Sequence, residues 1–126
     1  MPPGAISPAA ADAVEAWLMQ LTAVRGRADA TAEAYRADVA GFLSFVAHHT
    51  GGAEGTAALS RLTLSDMRAW MAHERGRGLG ARSLARALSA VKGFVGWMAE
   101  REGFNATPVL SVRAPKFRKT LPRPLA

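Results

Sequence analysis

Residues 78–103, "GLGARSLARALSAVKGFVGWMAEREG", decide how this chain folds. Leu84, Leu88, Val91, Val95 and Met98 recur at steps of four, three, four and three, the period of one helix face. Ala87 and Phe94 fall at the edge of that stripe. At ~100° per residue, Arg82, Arg86, Ser89 and Gly93 fall on the reverse face. Gly103 stops the helix. The reverse face is cationic and small, with no acid before Glu100. Either it is a solvated surface or it holds an anion.

Three further helices can be read around this one. Ser7-Pro8 offers an N-cap followed by proline at the first helical position. Val14, Trp17, Leu18 and Leu21 follow at helical spacing, ending near Arg25-Gly26. A second helix starts between Asp29 and Thr31. Its stripe is Tyr35, Val39, Phe42, Leu43 and Val46, and its opposite face is mostly small: Glu33, Ala37, Ala40, Gly41 and Ser44. Gly51-Gly52 end it, with loop through Gly55. The third opens at "LTLSDMRAWM". Thr63 is the expected N-cap, Asp66 sits three residues later, and Leu62 and Met67 are spaced as a hydrophobic staple. Gly76, Gly78 and Gly80 form the turn into the fourth helix.

Length and composition agree with this reading. A chain of 126 residues, 49% hydrophobic, suits one domain with one core. Alanine is abundant, and β-branched residues are not gathered into runs, so the fold class is all-α, a bundle of four main helices. Without cysteine there are no disulfides or thiolate sites. The N-terminus has no basic patch before an apolar run, and no stretch nears the ~18 apolar residues that span a bilayer. A soluble cytoplasmic chain is expected, with residues 1–7 flexible, 8–106 the helical domain and 107–126 a basic extended tail.

Charge is distributed unevenly. Residues 1–62 hold four arginines against six acids, net −2, while residues 63–126 hold twelve cations against four acids, net +8. That excess points toward a polyanion. The tail alone carries five cations from Arg113 to Arg123, among four prolines. Long donors beside small residues suit a helix pressed into a DNA groove: arginine reads guanine bidentately, and serine donates to base or phosphate. A membrane-surface helix would need bulky apolar residues left over for lipid. Here the stripe is narrow and matches the other helices, so it reads as core.

No catalytic or metal constellation emerges. His48 and His49 are adjacent, His73 stands apart, and no HxxxH or HExxH spacing occurs. Tyr35 lies on the apolar stripe of the second helix and reads as core, as do Trp17 and Trp70. Trp97 falls between the core and cationic faces. Glu100 and Glu102 have no base beside them, and no phosphate-cradling GxxxxGK[ST] loop is present. The sequence therefore implies no cofactor and no metal.

Three stretches, "TAEAYRADVAGFLSFV", "LTLSDMRAWMAHERGRGLGARSLARALSAVKGFVGWM" and "RAPKFRKTLPRPL", together resemble the N-terminal core-binding domain of tyrosine recombinases, most closely the Xer type. The resemblance spans roughly residues 10–126 and lies in the order and spacing of these elements. It implies a SAM-like four-helix domain that clamps one side of a double-stranded recombination half-site, with helices two and four facing the DNA. By position, Arg82, Ser83, Arg86, Ser89 and Lys92 become DNA contacts, with Thr31 and Arg36 as further candidates. The tail becomes the interdomain linker, placing Arg113, Lys116, Arg118 and Lys119 near phosphates. The family's tyrosine nucleophile and its assisting residues belong to a separate catalytic domain, and none maps here, so the chain is expected to bind without cutting. The implied partners of the parent are a second, XerD-like recombinase in a tetramer on DNA and an FtsK-like translocase, acting in chromosome dimer resolution at a dif-like site. One departure is "NATPV", where relatives tend to place Asn directly before Pro, which bears on the exit from helix four. Two other readings stay open: the core-binding domain of a phage or transposon integrase, and a helical protein-interaction module whose basic face meets an acidic partner.

Overall fold

The computed structural model of the chain describes residues 6–25, 29–50 and 55–114. It holds helices α1 (Pro8–Arg25), α2 (Asp29–His49), α3 (Leu64–Gly76), α4 (Ala81–Glu102) and the short α5 (Thr107–Leu110), with a 3-10 helix at Gly55–Arg61 between α2 and α3. There is no strand among the described residues. The four long helices are those expected from periodicity.

Their ends follow from local chemistry. The Ser7 hydroxyl accepts the Ala10 N–H at 3.1 Å, satisfying one of the orphan donors of α1. At α3 the capping box is complete: Asp66 N–H donates to the Thr63 hydroxyl at 3.1 Å, and Thr63 N–H donates to the Asp66 carboxylate at 2.9 Å. Leu62 and Met67 are both buried beside it, as a staple requires. Gly103 ends α4 at φ 77°, and its N–H returns to the Ala99 carbonyl. An L side chain rarely adopts that backbone conformation.

α4 lies along α2 over the longest contact in the fold and also touches α1, α3 and α5. Leu84, Leu88, Val91, Val95 and Met98 are all buried. So are Ala87, Ala90 and Phe94, which makes the buried face broader than the five-residue stripe suggested. Ala87 and Phe94 are core rather than edge because helices pack on both flanks of α4. Each large side chain buried this way stabilises the fold by about 1.5–3 kcal/mol. Two aromatic joints tie the helices. Phe42 of α2 meets Trp70 of α3 edge-on, at 5.2 Å and 86°. Trp17 of α1 stacks on Tyr35 at 6.0 Å and meets Phe94 edge-on at 5.7 Å. The tyrosine is therefore a packing residue, as its position on the stripe implied.

Two segments depart from expectation. The stretch after the glycines at 51–55 is helical, and its Ala58 and Leu59 are buried in the common core. It is too short and too tightly wound to show a 3.6-residue period. The chain after Gly103 is not uniformly extended. Asn105 Oδ1 accepts the Thr107 N–H at 3.0 Å, Pro108 occupies the first turn, and α5 brings Val109 and Val112 back into the core. The departure "NATPV" thus has a local use, in which the asparagine carbonyl organises the turn.

Candidate nucleic-acid interface

The outer row of α4 is built by the core behind it. With Leu84, Leu88 and Val91 turned inward, Arg82, Arg86 and Ser89 are carried to the exposed side and Lys92 to its margin. Ser83 is half-buried. From Arg82 to Lys92 the row runs about 15 Å at 1.5 Å per residue. Arg82 and Lys92 hold no ion pair among the described residues. Ser89 and Lys92 rim an open hollow of about 340 Å³ between α1, α2 and α4, shared with Trp17, Gln20, Tyr35 and Trp97.

Arg86 is different. Its Nε and Nη2 donate to Asp38 Oδ2 and Oδ1 of α2, both at 2.9 Å. The Arg86 side chain is 43% exposed, whereas that of Asp38 is only 9% exposed. That hydrogen bond to Asp38 outweighs partial desolvation and raises the guanidinium pKa further above its already high ordinary value. Helix four presents no acid of its own on this face, but helix two supplies one. Periodicity within one helix cannot show a partner 48 residues away.

Arg36 is also engaged. It donates to both Glu15 oxygens, at 2.7 and 3.0 Å, and pairs with Glu33. The Arg36 hydrogen bond holds the Glu15 carboxyl below its ordinary range. This cation joins α2 to α1. Thr31 is half-buried in the first turn of α2. Arg113 is exposed just beyond α5. Lys116, Arg118 and Lys119 lie outside the described residues.

The glycines of α4 have a use that sequence reasoning missed. They were expected to leave room for a groove. A Cβ at Gly93 would instead stand 3.2 Å from Trp17 Cζ2, and one at Gly96 would meet Leu110 Cδ2 at 3.6 Å. Gly93 thus lets α1 approach closely, whereas the contact at Gly96 would be an ordinary one. Trp97 is half-buried, with the Arg101 guanidinium 4.4 Å above its ring, which accounts for its position between two faces. On the far side, His49 meets Asp66 at 3.1 Å, and Phe45 lies against both His49 and His73. Among the described residues no cluster of three or more His, Asp or Glu side chains could hold a metal, and no helix is long and apolar enough to cross a membrane.

Comparison with known proteins gives this surface a setting. Residues 14–102 match the phage integrase N-terminal SAM-like domain. The chain is 43% identical over 123 residues to the tyrosine recombinase XerC of Rhodospirillum centenum, which covers 97% of this chain and 36% of that protein. It is 36% identical over 111 residues to the tyrosine recombinase XerC of Mesorhizobium japonicum, covering 88% of this chain and 36% of the relative. With that of Bradyrhizobium diazoefficiens it shares 39% over 119 residues, 94% and 37% respectively. The chain therefore spans a little over a third of the length of these relatives. No solved structure matches it.

Proposed function

We propose, because the chain belongs to the phage integrase N-terminal SAM-like domain family, that it is the DNA-binding part of a Xer-type site-specific tyrosine recombinase. It clamps one face of a recombination half-site. Strand cleavage and rejoining belong to the parent's catalytic domain, whose residues lie outside this chain. The parent acts in the cytoplasm on a dif-like site, in a tetramer with a second recombinase and with a DNA translocase as partner.

The observation that carries this reading is the outer row of α4, where Arg82 and Lys92 have no ion-pair partner among the described residues and exposed Ser89 stands between them. Arg82, Ser83, Ser89 and Lys92 meet the groove or its phosphates, Thr31 and Arg36 lie at the border, and Arg113 starts a basic run with Lys116, Arg118 and Lys119. Docking is then mainly electrostatic, with limited base reading. If about five cations reach phosphates, log affinity falls against log salt with a slope of roughly −4 to −5.

The test is titration of the full chain against a duplex carrying the dif-like half-site, and against a scrambled duplex, over a range of salt. Steep salt dependence with tighter binding to the half-site is expected. A slope near zero, or no binding to either duplex at low salt, overturns the reading and favours an acidic protein partner. Equal binding to both duplexes removes site specificity from this part of the molecule.

A further inference from the structure

The Arg86–Asp38 pair poses a question that stability does not answer. A nearly buried carboxylate is costly to desolvate, and well-packed apolar residues can replace such a pair with little loss. The Asp38 side chain is only 9% exposed, so an apolar side chain would suit this flank of α2. The pair also cancels the charge that would make Arg86 useful as a simple phosphate ligand.

What the pair supplies is orientation. A guanidinium has five N–H donors in one plane. Asp38 takes one from Nε and one from Nη2, along one side of the fork. The end of the fork remains, with one N–H on Nη2 and two on Nη1. That end is the edge that bonds guanine O6 and N7 together in the major groove. The side chain as a whole is 43% exposed. Holding the side chain in one plane before DNA arrives also lowers the ordering cost of binding.

We infer that Asp38 is a positioning residue for DNA recognition: it fixes Arg86 so that the free end of the guanidinium reads a guanine base edge rather than a phosphate. The inference rests on the DNA-binding reading above. It adds a residue on α2 that touches no DNA and acts only through Arg86.

The experiment compares the wild-type chain with Asp38→Asn, Asp38→Ala and Arg86→Ala on half-site and scrambled duplexes, with thermal unfolding recorded for each. Asp38→Ala should lower the half-site preference by roughly 5- to 150-fold, the range of one good bidentate base contact. Affinity for the scrambled duplex should hold or rise, because a carboxylate has been removed. Asp38→Asn, of the same size and retaining one acceptor, should lose less. In an Arg86→Ala background, Asp38→Asn should change the preference no further, a result that a merely structural role would not produce. Replacing guanines one at a time by 7-deazaguanine should weaken wild-type binding at one position and leave Arg86→Ala indifferent there.

An equal gain on both duplexes in Asp38→Ala would mean that Arg86 meets phosphate, and overturns the inference. An unchanged preference in folded Asp38→Asn and Asp38→Ala, with wild type still selective, overturns it while leaving the proposed function intact. If wild type binds neither duplex, both fall together.

Discussion

Gly93 of α4 lies beneath Trp17 of α1, so close that a Cβ there would stand 3.2 Å from the indole Cζ2. The indole is itself held by Tyr35 and Phe94. Gly41 of α2, by contrast, has open space around its missing Cβ.

Gly93→Ala and Gly41→Ala should therefore move stability in opposite directions. Alanine at 41 removes backbone entropy from the unfolded chain and stabilises by about 0.4–1 kcal/mol. At 93 the same gain is exceeded by overpacking, which costs about 1–3 kcal/mol. Chemical denaturation of the two variants checks this. Equal stabilisation by both would show that the Trp17 contact is loose.

Arg82→Gln and Lys92→Gln should each reduce the steepness of the salt dependence by about 0.9 if each cation meets one phosphate. Neither side chain holds an ion pair among the described residues, so unfolding temperatures should stay close to wild type. Glutamine retains much of the stem that Lys92 lays against the surface. Titrations at several salt concentrations measure the slope, and an unaltered slope in either variant removes that residue from the interface.

The capping box gives a pH dependence of defined sign. Burial pushes the Asp66 carboxyl up, but the Thr63 N–H, the Thr63 hydroxyl and His49 outweigh burial and hold it below the ordinary aspartate value. A carboxylate depressed on folding stabilises the fold fully above its unfolded value of about 3.9, and this contribution is lost as pH falls through the folded value. Asp66→Asn should cost about 1 kcal/mol near neutrality, the scale of a helix cap. Denaturation across pH should show the gap to wild type closing as acid protonates the wild-type carboxyl. A gap that stays constant through the acid range contradicts the assignment.

Much of the fold was legible because its signals are local. Ser7, Thr63, Asp66 and Gly103 act within one turn of their own helices, and the stripe from Leu84 to Met98 needs only a single period. The 3-10 helix at Gly55–Arg61 and α5 have no such period; tertiary packing of Ala58, Leu59, Val109 and Val112 holds them. The candidate site was legible only in part. The exposed face of α4 follows from its buried face, so the placement of Arg82, Arg86 and Ser89 was readable. Asp38 was not, because what it meets depends on how α2 lies against α4. Gly93 was misread for the same reason: a missing side chain makes room, but only the assembled helices show for whom.

The return of the chain at Gly103 has a mechanical consequence. Val112, two residues beyond α5, is still buried, and Leu110 lies against Gly96 of α4. The chain at Val112 thus starts from a point anchored beside the helix that carries Arg82 and Arg86. A tilt of α4 would shift that starting point with it. Leu110 and Val112 would follow the lie of α4, like a rudder on a fixed post.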